Sequence, residues 1–181
     1  MIALVSFDVQ GAFDATWWPG ILRELKEYKC PKNLYKLTMN YFTQRTAAVA
    51  TNSLKAEKTV TRDCPQGSCS GPGRWNLQFN SLLITKFLAR TKVVAYADDL
   101  LIATRRKSVR EVKNFANLEL SKIERWSRKN KVRFNEKKSK VMLVTRRKRR
   151  EDKKIYTILA LQSNRTSHTN EIPRNYTGSK I

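Results

Sequence analysis

Histidine is almost missing from this sequence, and its scarcity removes a class of metal chemistry. His168 stands alone, and Cys30, Cys64 and Cys69 form an odd set with no CxxC pair. A zinc site needs about four closely spaced Cys or His ligands, so zinc is not expected. A disulfide framework is not expected from the same cysteines either, which fits an intracellular chain. No apolar run approaches the ~20 residues of a membrane span. Met1 leads straight into Ile2-Ala3-Leu4-Val5 with no charged segment before it, so no secretory signal is read. The expected location is the nucleus or cytoplasm. Acid is scarce too: 15 Asp and Glu stand against 37 Lys and Arg, a formal net charge of +22. So much positive charge repels itself in a compact fold, and a polyanionic partner is the natural reading.

The charge is uneven. Residues 105–154 hold 21 of the 37 basic residues and 6 of the 15 acidic ones. The first hundred residues are nearer balance, and with 40% hydrophobic residues the chain can bury a core. Met1 to Val9 reads as a buried strand. Ile21, Leu22, Leu25 and Tyr28 follow helical spacing up to Pro31, and Leu34, Leu37, Thr38 and Tyr41 repeat it. Ala47–Thr51 and Lys58–Arg62 predict a hairpin across Asn52-Ser53. A loop at 64–73 precedes a helix carrying Trp75, Phe79, Leu82, Leu83 and Phe87. Lys92–Tyr96 and Leu100–Thr104 predict a second hairpin with Asp98-Asp99 at its tip. Ser108 and Glu111 form a capping box ahead of a helix whose apolar face is Val109, Val112, Ala116, Ile123 and Trp126. Val132–Phe134 and Val141–Val144 predict a final strand pair. Past Thr145 the basic run Arg146–Arg150 begins, a candidate nuclear-localisation signal or simply a solvated segment.

Three carboxylates carry the chemistry. Asp8 ends the first strand, and Asp98 and Asp99 sit about 90 residues later at a hairpin tip. Antiparallel pairing in one sheet would bring them together. Clustered carboxylates repel unless a divalent cation neutralises them. Mg²⁺ favours oxygen ligands, one or two carboxylates plus substrate phosphates, and Mn²⁺ is a possible substitute. Two such ions ~3.5–4 Å apart clamp the attacking and leaving oxygens of a phosphoryl displacement. An isolated Asp-Asp pair is more often a solvated turn, but here apolar Val93-Val94-Ala95-Tyr96 and Leu100-Leu101-Ile102 flank it.

Four segments in order then resemble the palm motifs of reverse transcriptases from non-long-terminal-repeat (LINE-like) retrotransposons. They are Phe7-Asp8-Val9-Gln10-Gly11-Ala12-Phe13-Asp14, Pro65-Gln66-Gly67-Ser68 with its Gly-rich run, Tyr96-Ala97-Asp98-Asp99, and Phe134-Asn135-Glu136-Lys137-Lys138-Ser139. The resemblance implies an α/β (α+β) fold, a right-hand polymerase palm with an antiparallel sheet and helices packed on one face. It implies RNA-directed DNA polymerase chemistry, with two Mg²⁺ ions, dNTP, an RNA template and a DNA primer. Asp8, Asp98 and the Val9 backbone match metal ligands, and Asp99 a supporting carboxylate. Phe13 matches the steric gate under the sugar, Gln66 matches the residue that contacts the incoming nucleotide and template, and Gly67 would leave room for close backbone approach of the nucleotide. Val9 to Ala12, including Gly11, would offer backbone N–H groups to the triphosphate. Lys138 matches the lysine beside the leaving pyrophosphate. Arg74 could reach a template phosphate, and Asp14 reads as a structural cap before Trp17-Trp18.

The same resemblance implies fingers before the first motif, a thumb and primer grip after the fourth, and an endonuclease elsewhere in a polyprotein. The expectation is a palm over residues 1–145 with truncated fingers: an intact metal site without a complete nucleic-acid cleft. Residues 146–181 are expected to be a basic, poorly ordered tail, and the change of composition after Lys154 suggests either a shifted reading frame or a decayed, inactive copy. The alternative reading is a non-catalytic, basic nucleic-acid-binding remnant, in which helices and Trp126 contact phosphates and bases.

Overall fold

The computed structural model describes residues 1–52 and 54–145. The basic run at 146–150 and the tail beyond it lie outside the described residues. In chain order the elements are β1 (Ile2–Asp8), α1 (Trp18–Glu27), α2 (Lys32–Phe42), β2 (Thr46–Ala50), β3 (Lys55–Thr59), α3 (Gly71–Leu83), β4 (Thr91–Tyr96), β5 (Asp99–Arg105), α4 (Val109–Asn130) and β6 (Lys140–Val144). Among the described residues no helix is long and apolar enough to cross a membrane.

Four strands form one antiparallel sheet in the order β4-β5-β1-β6. Strand alternation divides it into two unlike faces. Ala3, Val5 and Phe7 of β1 and Leu100, Ile102 and Thr104 of β5 are buried on one face. There they meet α4, whose buried residues Val112, Ala116, Glu119, Ile123, Trp126 and Asn130 recur at steps of three and four. The other face presents Leu4, Val94, Leu101 and Met142, and at one end Asp8 and Asp99. Among the described residues, helices therefore pack on one face only, as expected.

Aromatic rings bind the helices to the sheet. Trp75 stacks on Phe79 at 5.0 Å, Phe79 meets Trp126 edge-on at 5.6 Å, and Phe134 bridges from Trp126 to Phe7. Trp126 is thus a core residue, with its indole N–H donated to Ser81 Oγ. It is not available to stack on a base, and that part of the nucleic-acid-binding alternative is corrected. A second apolar cluster of Trp18, Ile21 and Phe42 joins α1 to α2, with Leu22, Leu25 and Val60 against it.

Several local expectations shift. The predicted pairing of Val132–Phe134 with Val141–Val144 does not form. Phe134 bridges to Val9, and β6 lies along β1 from Ile2↔Val144 to Ser6↔Lys140. The β2–β3 hairpin begins its second strand at Lys55 and stands apart from the main sheet, with every residue of both strands exposed. Phe87 falls beyond the end of α3 at Leu83. Helix α1 starts without a side-chain cap, so Asp14 does not cap it. At α4 the Ser108 hydroxyl accepts from Glu111 N, while the Glu111 carboxylate accepts from Lys107 N, one residue before the standard box.

One buried acid lies on the apolar face of α4. Glu119 is fully buried; it accepts from Leu88 N at 2.6 Å and lies 2.9 Å from Lys122 Nζ. It pins the connection between α3 and β4, which leads into the acidic hairpin. Glu119→Leu should destabilise the fold by about 2 kcal/mol in urea melts, because the Leu88 N–H loses its acceptor and the Lys122 ammonium, which keeps its hydrogen bond to Lys86 O, loses its ion-pair partner. Glu119→Gln, which keeps an acceptor for Leu88, should cost less. A Leu variant as stable as the parent would show that this anchor contributes nothing.

Candidate active site

Strand β1 is the fixed point of the site. Its register with β5 runs from Ile2↔Arg105 to Asp8↔Asp99, so the two acids are direct cross-strand partners. Because Asp8 shares a face with Ser6 and Leu4, and Asp99 with Leu101, both leave the sheet on the side without helices. Asp8 is half-buried and Asp99 exposed.

On its other side, β1 is extended past the sheet by the segment after α4. Gln10 N donates to Arg133 O at 2.9 Å, Asn135 N to Asp8 O at 2.8 Å, and Val9 bridges to Phe134. A turn follows in which Ser139 N and Oγ both donate to Asn135 O. This turn presents Lys138, whose Nζ lies 3.6 Å from Asp8 Oδ2. Lys138 is mostly exposed, so the pair contributes at most about 1 kcal/mol to stability. Its importance is positional: it sets a cation beside the first carboxylate.

Asp98 lies at the tip of the β4–β5 hairpin. Tyr96↔Asp99 is the last ladder pair, leaving Ala97 and Asp98 as a two-residue turn. Such turns need a positive φ, normally from Gly, Asn or Asp. Here Ala97 adopts φ 52, which costs an L residue about 1 kcal/mol. The tip is held by a residue that sequence reading placed only on a helix face. The buried Trp75 indole donates its N–H to Ala97 O at 2.9 Å. A buried Trp needs an acceptor, but nothing in the sequence said which.

The second motif packs against the first. Phe13 is half-buried, and its carbonyl accepts from Cys64 N at 2.9 Å. A Cβ added at Gly71 would stand 2.9 Å from Ser68 Oγ and 3.4 Å from Pro65 O, so glycine lets the loop fold back on the start of α3, with the Phe13 ring in ordinary contact at 3.6 Å. Gln66 and Gly67 are exposed at the loop's outer turn, with Gly67 at φ 81. Gly11 turns the chain after β1 at φ 58. Of the Val9–Ala12 N–H groups offered to a triphosphate, that of Gln10 is already bonded to Arg133, which narrows the expected cradle.

Buried amides fix the helices behind the site. Gln78, fully buried, accepts from Trp17 N and donates to Asn130 O. Asn130 in turn accepts from Arg23 at 2.6 Å and donates to Trp126 O. Three helices are thereby cross-linked by groups that a hydropathy pattern treats as surface. Among the described residues no group of three His, Cys, Asp or Glu side chains converges as a ready metal cage. Asp8 and Asp99 are brought side by side, and Asp98 stands at the adjoining tip.

The backbone strain gives a test. Ala97→Gly should stabilise the fold by up to about 1 kcal/mol in urea melts, and Trp75→Phe should lose about 1 kcal/mol through the missing indole donor. If Ala97→Gly is destabilising, the left-handed tip is not populated in solution.

Comparison with known proteins agrees with the geometry. A family model described as reverse transcriptase (RNA-dependent DNA polymerase) matches residues 2–181. A Pol polyprotein from the type-1 retrotransposable element R1 of Bradysia coprophila is 41% identical over 95 residues, covering 52% of this chain and 9% of that protein. The RNA-directed DNA polymerase from the Drosophila melanogaster mobile element jockey is 28% identical over 137 residues, 72% of this chain and 15% of that protein. Among solved structures, apo telomerase from Candida tropicalis aligns with a TM-score of 0.62 at 13% identity, covering 82% of this chain and 32% of that one. At that identity the likeness is one of fold. The chain spans 9–23% of the length of the first curated relatives it matches.

Proposed function

The chain belongs to the reverse transcriptase family, and from that premise we propose that it forms the palm of a non-long-terminal-repeat retrotransposon polymerase, catalysing template-directed nucleotidyl transfer from dNTP onto a DNA primer. The observation that carries the reading is the Asp8↔Asp99 register with Lys138 at 3.6 Å from Asp8.

The donor chemistry fits a divalent cation of the Mg²⁺ type. Such an ion takes one or two protein carboxylates and completes its shell with substrate phosphates and water. A side-by-side pair at the end of a strand suits it, and a closed protein cage is not required. Asp8 and Asp98, with the Val9 carbonyl, would hold the ions, and Asp99 would support them. When bound, the ions supply charge neutralisation at the transferring phosphoryl group and a lowered pKa for the primer 3′-hydroxyl, Mn²⁺ being a possible substitute.

The remaining work falls to the chain's own residues. Lys138, 3.6 Å from Asp8 Oδ2, would offset negative charge on the leaving pyrophosphate. Phe13, backed by the loop closing at Gly71, would set a ring below the sugar and disfavour a 2′-hydroxyl. Gln66 and Gly67, exposed on the same loop, can meet the nucleotide by an amide and by close backbone approach. Template, primer and the rest of the polyprotein would complete the cleft.

Primer extension on an RNA template, with Mg²⁺ and the purified chain, tests the reading. Asp98→Asn should lower incorporation by at least about a hundredfold while RNA affinity stays unchanged. Phe13→Ala should narrow the preference for dNTP over rNTP by roughly tenfold. Unimpaired synthesis by Asp98→Asn would refute the assignment of the hairpin as a catalytic centre.

A further inference from the structure

The two acids of the hairpin are held very differently. Asp99 is fixed from two sides, by its pairing with Asp8 and with Tyr96. Asp98 has no place in either ladder, since Ala97 and Asp98 form the turn beyond the last pair. The hairpin is also thinly backed. Strand β4 lies at the edge of the sheet. Beside it opens a cavity of about 480 Å³, lined by Gly73, Asn76 and Phe79 of α3 and by Ala95 and Ala97 of the hairpin. A Cβ added at Gly73 would meet nothing within 4 Å, so α3 does not press on the tip from there.

Helix α3 reaches the tip through Trp75 instead. Its indole N–H donates to Ala97 O at 2.9 Å. The ring is 1% exposed and stacks on Phe79, with the planes 22° apart. Packing therefore sets the direction of the N–H before any substrate arrives. The Ala97 carbonyl and the Asp98 N–H belong to one planar peptide unit. Holding its oxygen fixes that plane, and with it the direction in which Asp98 leaves the backbone. The plane needs holding, because Ala97 sits at φ 52, in the left-handed region that an L residue disfavours. Without the donor, Ala97 can relax to negative φ and turn Asp98 away, while the ladder keeps Asp99 in place.

We propose that Trp75 is a positioning residue for nucleotidyl transfer: its indole N–H holds the Ala97–Asp98 peptide and so aims the Asp98 carboxylate. Trp75 itself touches neither substrate nor metal. The proposal rests on the polymerase reading for the role of Asp98. It also ties the loop that carries Gln66 to the acidic hairpin, because Trp75 lies early in the helix that follows that loop.

Steady-state primer extension, and Mn²⁺ binding followed by electron paramagnetic resonance, test it on the full chain. Trp75→Phe keeps a ring against Phe79 and removes the donor. It should lower kcat roughly tenfold, leave the KM for dNTP within about twofold, and weaken Mn²⁺ binding several-fold. Trp75→Phe combined with Ala97→Gly separates position from stability. Glycine relieves the strain at the tip, so thermal melts should return towards the parent, while kcat and Mn²⁺ affinity stay low. Ala97→Gly alone, with the indole in place, should lose much less Mn²⁺ affinity than the double variant. Should Trp75→Phe fail to fold, 3-benzothienylalanine at position 75, which puts sulfur where the N–H was, takes its place. Recovery of kcat and Mn²⁺ affinity in the double variant would overturn the proposal, and so would an equal loss in Ala97→Gly alone. Asp98→Asn keeps the two readings apart. If it is inactive while Trp75→Phe matches the parent, the polymerase reading stands and the positioning role falls. If the parent incorporates no nucleotide, the polymerase reading falls and Mn²⁺ binding decides: a loss shared by Asp98→Asn and Trp75→Phe keeps the positioning role, and unchanged binding in Trp75→Phe ends it.

Discussion

The antiparallel register of β1 against β5 is the constraint on which the candidate site depends. Side chains alternate along a strand, so a slip of one residue would turn Asp8 towards the helices and replace it with Phe7 or Val9. A slip of two would keep the face but separate the acids along the strand. The buried set Ala3, Val5 and Phe7 opposite Leu100 and Ile102 prevents both, because either slip breaks their packing against α4. Hydrophobic burial on one face thus specifies electrostatics on the other. Lys138 inherits the same precision, since residues 133–135 are bonded to residues 8–10 of the same chain segment.

The buried polar groups behave differently from the apolar core. Gln78, Asn130 and Glu119 gain little net energy over well-chosen hydrophobic residues, since each had to give up water. They fix orientation instead. Gln78 joins the chain before α1 to the end of α4, and Glu119 holds the approach to β4. With Trp75 on the hairpin tip, the helical layer grips both polypeptide segments that present carboxylates.

Patterns local in sequence were legible in advance. The first strand, the acidic hairpin, the Ser108 cap and the 64–73 loop each leave a mark within about ten residues. So did the one-sided sheet, through the resemblance of four ordered motifs. What could not be read depends on partners far along the chain. Helical spacing puts Trp126 on the apolar face of α4, but it does not say that Phe79 and Phe134 are the rings it meets there. Val132–Phe134 and Val141–Val144 are close in sequence, but β1 attracts them separately. Phe87 continues the helical period of α3, yet the helix stops before it. Asp8 and Lys138 were both named from motifs; their contact appeared only once α4 returned the chain to β1.

The β2–β3 hairpin, exposed on both faces and outside the main sheet, has an evolutionary consequence. Its length is nearly decoupled from the carboxylate end, because no strand of the central sheet takes its register from it. Adding residues to its turn costs only slowly growing loop-closure entropy. Insertions and deletions can accumulate there between lineages while the register that pairs Asp8 with Asp99 stays constant.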